Sequence, residues 1–361
     1  MTKKEGFRQA AKAVVFTAIF LTALVMLTYM LRTNGPLKDR FVGFYAEPKN
    51  SIDVIMVGSS PVSPCYAAPQ LYGETGIVMY PLSTNLQRPV AQLYLEREAL
   101  KRQKPALMIF EVRMYTAVEV DMVNNMAYTR GVTDNLRYSK NRIDAINAMM
   151  DEAVAYNAWL DDTKPYTYYF DIFKYHSNYR SLVDPHQWAT ALYQLPDPHK
   201  GYEEQSGLEE PNVIDNPVAQ EAIPIQDVQE ERLLLLLEDL KKNGQQALFI
   251  LTPFQETEEQ AGKLLTVQRI VEENGFDYLD LNEAIDEMEI DGLTDYYDNR
   301  AHTNALGSEK VTAYLGQYLR EHYDLPDRRG DAAYASWDEA YARWQSEHAE
   351  AVREILSKVE N

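Results

Sequence analysis

The sequence predicts an α/β protein built on a doubly wound parallel sheet, with a helical or irregular insertion and an N-terminal transmembrane helix. The first ground is alternation: short apolar runs trade places with amphipathic stretches across residues 51–326, as when parallel strands are joined by crossover helices. The second is an uncharged run from Ala13 to Leu31, close to the ~20 residues that cross a bilayer as a helix. The third is a serine placed directly after the first strand, where such sheets put their ligands.

The elements follow in order. Lys3, Lys4, Arg8 and Lys12 precede the apolar run, with Glu5 opposing them. The positive-inside rule therefore makes residues 1–12 a cytoplasmic tail, 13–31 a single membrane span, and the rest extracytoplasmic at the cell membrane. A cleaved signal peptide is the rival, but the run is long for one and no small-x-small site follows it in LRTNGPLKDR. Residues 32–50 contain Gly and Pro and are expected to be a linker. Ile52–Val57, Gly76–Tyr80 and Ala106–Val112 are short apolar runs expected as buried strands. Arg88–Arg102 has helical spacing and is the expected crossover. A tyrosine-rich section at about 114–226 is expected to be an insertion on this core, with 201–224 an exposed polar loop. The core resumes with a helix over Asp227–Lys242, stopped at Asn243-Gly244, and a strand at Ala247–Leu251. A helix at Glu256–Asn274 ends at Gly275. The strand Phe276–Leu281 and the helix Leu306–His322 complete it. Residues 327–361 form an amphipathic tail in which Trp337, Tyr341, Trp344 and Ala351 make one stripe.

Composition narrows the function. The 361 residues carry 35 basic and 55 acidic side chains, a net charge of −20. Nucleic acids are bound by neutralising phosphates with Lys and Arg, so this balance argues against them. It argues equally against docking of the folded domain on anionic lipid. With one cysteine, Cys65, the chain has neither an intrachain disulfide nor a cysteine metal cluster. No HExxH, CxxC, EF-hand, P-loop or GxGxxG motif occurs, so no metal or nucleotide cofactor is implied.

Two segments carry chemistry. The first strand runs into Gly58-Ser59-Ser60-Pro61, where Gly permits a sharp turn and the following backbone offers N–H groups to an oxyanion. Far downstream lies Asp295-Tyr-Tyr-Asp298-Asn-Arg-Ala-His302-Thr-Asn-Ala-Leu-Gly307. An acid shortly before a histidine suits a general base and its orienter, although an Asp/His cluster at a helix start also serves as an ordinary cap. His176, in FKYHSNYR, either faces the site or packs, with packing or a structural hydrogen bond favoured.

The phrases IDVIMVGSSPV, KPALMIFEV, FKYHSNYRSL, ENGFDYLDLNE and HTNALGSEKVTAYL together resemble the SGNH/GDSL hydrolase superfamily, across most of residues 50–320. More narrowly, they are similar to its membrane-anchored branch, which includes the teichoic-acid D-alanine transfer protein and polysaccharide O-acetyltransferases. The resemblance implies a flavodoxin-like three-layer fold over 51–326, Ser60 as nucleophile and His302 as base. Ser59 stands where the family has Asp. The family's orienting Asp three residues before the histidine falls on Asn299 here, so either Asp298 or Asn299 takes that role. The family's Gly and Asn oxyanion blocks are absent; Asn85, Arg113 and Ser59 are the residues in reach of that duty.

The resemblance implies acyl transfer or ester hydrolysis on cell-envelope glycans or polymers through an acyl-serine. A membrane-bound acyl-exporting protein is the implied partner in the transferase version. The competing expectation is a catalytically inactive glycan-binding or scaffolding subunit of an envelope complex, because the serine–histidine function depends on the whole constellation.

Overall fold

In a computed structural model of the chain, residues 3–118, 126–155, 164–208, 216–298 and 301–359 are described. Helix α1 (Lys3–Leu31) is long and apolar enough to cross a membrane. Residues 32–50 are not the expected linker: α2 (Pro36–Ala46) starts on a proline and buries Phe41, Val42, Phe44 and Tyr45. The reason is tertiary: residues 40–45 are buried on every side, Arg40 and Lys38 included, so no polar-apolar periodicity marks the helix in the sequence. Strand β1 (Val54–Gly58) follows, then α3 (Ala68–Thr75), β2 (Met79–Ser83), α4 (Pro89–Leu100) and β3 (Leu107–Glu111). Helix α5 (Lys140–Ala155) belongs to the insertion. After it come α6 (Asp227–Asn243), β4 (Ala247–Leu251), α7 (Glu258–Glu273) and β5 (Asp277–Asp280). A hairpin of β6 (Tyr296–Asp298) and β7 (His302–Thr303) leads into α8 (Ala305–His322), and α9 (Ala335–Val359) ends the chain.

The five main strands are parallel, in the order β2-β1-β3-β4-β5. Alternate residues of each strand face opposite sides. Ile55, Val57, Met108 and Phe249 join a core with Leu95 of α4, Leu236 of α6 and Val267 of α7. Val54, Met56, Ile109 and Leu248 join a second core with Leu71 of α3 and Leu315 of α8. Helices therefore cover both faces, and the central strands are apolar throughout because neither face meets water.

Strand β2 begins three residues later than expected. Gly76 adopts a left-handed φ of 76° and caps α3, so it belongs to the helix stop. Pro81 then lies inside the strand, which is tolerated because β2 is a sheet edge. The insertion is welded to the domain: Ala145 and Met149 of α5 enter the first core. Helix α9 docks, burying Trp337, Ala340, Trp344, His348, Ala351 and Ile355, with Tyr341 half-buried. Part of the expected 201–224 loop, residues 209–215, lies outside the described residues; 201–208 is an extended segment against the domain.

Candidate active site

Strand β1 delivers Gly58, Ser59 and Ser60 to its carboxyl end. A Cβ on Gly58 would stand 2.5 Å from Cβ of Glu111 and 2.6 Å from Val62, so glycine is required by close approach. Ser60 sits in the turn before the one-turn helix Val62–Cys65 and is half-buried. Among the described residues its backbone N–H has no intramolecular acceptor.

The β6–β7 hairpin delivers the histidine. Asp298 and His302 are directly paired across it, which places their side chains on one face. The hairpin is anchored from behind by Asn304, which caps α8 by accepting from the N–H groups of Leu306 and Gly307. The Asn304 amide also donates to the carbonyls of Thr294 (2.7 Å) and Gly207 (3.0 Å).

Together these elements bring the two distant segments into contact. His302 Nε2 lies 2.8 Å from Ser60 Oγ. On the other ring nitrogen, Nδ1 faces Asp298 Oδ2 at 3.2 Å. That approach is close enough for a hydrogen bond but poorly aligned, since Nδ1 finds no acceptor in good geometry. Asn299, the other candidate orienter, lies outside the described residues. Burial holds the His302 pKa below its ordinary value, and the Arg113 cation adds to this; Asp298 pulls the other way. A neutral imidazole beside a serine hydroxyl can accept its proton at neutral pH.

Arg113 stands just past β3. Its Nη1 donates to the carbonyl of Ala301 at 2.9 Å, and its guanidinium lies over Phe254, 5.1 Å from the ring centre. It is thus a strut beneath the histidine hairpin as well as a local positive charge. Asn85 is exposed on the loop after β2, and among the described residues nothing ties it to the Ser60–His302 pair. Ser59 turns inward: it is buried and its hydroxyl approaches Glu111 Oε2 at 3.5 Å. As a donor to substrate, Ser59 is therefore spent on Glu111. His176 bonds through Nδ1 to the carbonyl of Phe173 at 3.0 Å, a structural hydrogen bond inside the insertion.

Glu111 is the residue sequence reasoning missed. It is fully buried at the end of β3, accepts from the N–H of Arg113 at 2.9 Å, and accepts from the N–H of Ser59 as well. It joins the Ser59-Ser60 turn after β1 to the end of the neighbouring strand β3. Burial raises its pKa, opposed by Arg113 and these N–H groups. The available signal was a lone acid ending the apolar run ALMIFEV, since buried carboxylates are rare unless hydrogen-bonded.

Two further features border the site. Tyr297 packs its ring 5.7 Å from the His302 ring. The segment 203–208 of the insertion straps past both halves: Glu203 N–H donates to Ser63 O (3.0 Å), and Gln205 O accepts from Ala305 N–H (2.8 Å). Cys65 is no rival nucleophile, because burial pushes its thiol up to about 12. Among the described residues, no group of three or more His, Cys, Asp or Glu side chains is arranged to hold a metal ion. No protein-family model and no curated protein matches the sequence.

Proposed function

We propose that this chain is a membrane-anchored serine esterase or O-acyltransferase that acts on cell-envelope glycans, on a doubly wound fold of the SGNH/GDSL kind. The observation that carries the reading is the 2.8 Å contact between Ser60 Oγ and His302 Nε2, with Asp298 on the far side of the ring. Nucleophile, base and orienter within reach of one another are the signature of nucleophilic acyl chemistry. The same contact favours a catalytic role over an inactive scaffold, for which the two side chains had no need to meet. The strand order supports the fold assignment: it reverses between β1 and β3, and Ser60 and Glu111 leave those two strands. Ligands of doubly wound sheets bind in the crevice at that switch point.

The steps follow from the residues. Ser60 Oγ attacks the acyl carbonyl carbon while its proton passes to His302 Nε2. Asp298 keeps Nδ1 protonated and stabilises the imidazolium. The backbone N–H of Ser60 and the charge of Arg113 are the groups at hand for the oxyanion. Collapse expels the alcohol, which takes the proton from His302 and leaves an acyl-serine. Water, or a glycan hydroxyl in the transferase, then gives its proton to His302 and attacks the same carbon. Collapse breaks the bond between Ser60 Oγ and the acyl carbon, and Ser60 Oγ takes the proton back from His302 as the acid or new ester leaves.

Helix α1 supports the anchor, and the basic residues before it support an extracytoplasmic domain. An anchored transferase is suited to receive acyl groups from a membrane-bound exporting protein. The test is hydrolysis of p-nitrophenyl acetate by the full chain in detergent. Ser60→Ala and His302→Ala are each expected to lose at least about 10³-fold in turnover; unchanged turnover in both overturns the reading.

A further inference from the structure

Beyond the Ser60–His302 pair, an exposed apolar surface lies against α1. Residues 166–192 form a chain of short helices: Tyr166–Tyr169, Ile172–Tyr175, His176–Val183 and Pro185–Ala189. They wrap the end of α1. Asn178 donates to the Leu31 carbonyl at 3.0 Å, and Arg32 pairs with the buried Asp171 at 2.6 Å. A cleft of about 460 Å³ runs between Leu21, Val25 and Tyr29 of α1 and Ala191 and Leu192 of the insertion.

The outward side of this chain exposes Phe170, Phe173, Tyr179, Val183, Trp188 and Leu192, with Val183 at 89% and Trp188 at 61%. A contiguous segment so rich in exposed apolar rings is uncommon on a surface facing water. Its ionisable residues are also unlike the rest of the chain. Lys174 and Arg180 balance Asp171 and Asp184, and Asp171 is buried, whereas the whole chain stands at −20. Aromatic rings interspersed with Lys and Arg are the composition of a membrane–water interface. The indole N–H of Trp188 is already satisfied by the Leu182 carbonyl at 2.6 Å, so its ring enters an apolar phase without stranding a donor.

The length of α1 points the same way. Its last turn, Thr28 to Leu31, is buried by the domain. The apolar stretch left outside, Ala13 to Leu27, rises roughly 22 Å at about 1.5 Å per residue. A hydrocarbon core is about 30 Å thick. The insertion packs at the Leu31 end of this stretch, where its immersion would supply the missing depth.

We propose that the 166–192 face is immersed in the leaflet on the domain's side of the membrane, so that the protein is held by a monotopic surface as well as by α1. The partner is a lipid bilayer, continuous with the lipid-facing surface of α1. Because the end of α1 is buried in the domain, the immersed face also fixes the tilt of the domain against the bilayer, which a lone helix leaves free. This inference rests on the reading of α1 as a membrane span.

The test uses the full chain in phosphatidylcholine vesicles, spin-labelled one site at a time through Val183→Cys, Trp188→Cys, Phe16→Cys and Leu356→Cys. The native Cys65 is buried and leaves the background clean. Collision with oxygen is compared with collision with a water-soluble nickel chelate. Labels at 183 and 188 are expected to favour oxygen, as at position 16, while position 356 favours the chelate. If 16 favours oxygen but 183 and 188 behave like 356, the immersion is wrong and the anchor stands. If 16 also favours the chelate, the anchor and the immersion fall together. Shielding of 183 and 188 from both reagents overturns immersion in favour of a contact between copies of the chain.

Discussion

His302 Nε2 stands 2.8 Å from Ser60 Oγ, although 242 positions separate the two residues in the chain. Five parallel strands, two buried faces and the capping of α8 by Asn304 all converge on that contact. If it is catalytic, its pH dependence is set by what surrounds the imidazole.

Burial and the Arg113 cation both lower the His302 pKa, and the base form is the neutral one. Esterase turnover is therefore expected to rise through a limb centred below the ordinary histidine value of about 6.5 and to be flat at neutral pH. Arg113→Gln removes a cation and moves the limb to higher pH. Asp298→Asn removes an anion, moves it to lower pH, and reduces the plateau by on the order of 10²–10⁴. A pH–rate profile of the three proteins checks the signs; shifts in the reverse sense refute this account of the base.

Glu111 acts through others, as a positioning residue. Glu111→Gln turns one carboxylate oxygen into a donor facing the N–H groups of Ser59 and Arg113. The nucleophile turn should loosen, and turnover should fall by about 10–100-fold, equivalent to one or two lost charge-assisted hydrogen bonds. KM should change little, because Glu111 does not face the substrate. Steady-state kinetics beside a circular dichroism spectrum separate this from unfolding.

His348 clamps the tail helix. Burial alone pulls its pKa down, but Glu204 and Glu309 push it up to about 9. Nε2 bonds Glu309 at 3.1 Å, Glu204 lies 3.6 Å from Nδ1, and the ring stacks on Trp344. The folded value exceeds the unfolded one of about 6.5, so the stabilisation is complete below about 6.5 and is lost as pH rises through about 9. The Tm difference between wild type and His348→Gln should be greatest at pH 6 and should shrink well above pH 9 to what the stacking of the neutral ring on Trp344 leaves. An undiminished difference at high pH contradicts the clamp.

Asp171 is a buried carboxylate shared by Arg32, Arg142 and Tyr138. Asp171→Ala leaves the buried Arg32 guanidinium without its carboxylate, while Arg142 keeps Asp134 and the carbonyls of Thr133 and Tyr168. The substitution should cost about 3–5 kcal/mol in unfolding experiments. A change below about 1 kcal/mol means the network relaxes.

Much of this architecture was legible in the sequence, for identifiable reasons. Strands such as Ala247–Leu251 are buried on both faces, so their apolar runs are unbroken. Gly244 and Gly275 take left-handed φ values just past α6 and α7, as turn chemistry requires. Ser60 and His302 were legible because each sits at an element boundary with a distinctive neighbour pattern. The rest depended on tertiary context. Helix α2 hid inside a Gly- and Pro-bearing stretch. Pro81 masked the end of β2 because an edge position cannot be recognised from one strand alone. The commitment of Ser59 to Glu111, and the route of 203–208 past the site, are long-range contacts with no local periodicity.

The most direct measurement is intact-mass analysis of the full chain after reaction with a fluorophosphonate, followed by peptide mapping. The account predicts one phosphonyl adduct on Ser60, absent from Ser60→Ala and strongly slowed in His302→Ala. A folded wild-type protein that takes no adduct, or takes it elsewhere, contradicts the claim that these two residues form an activated nucleophile.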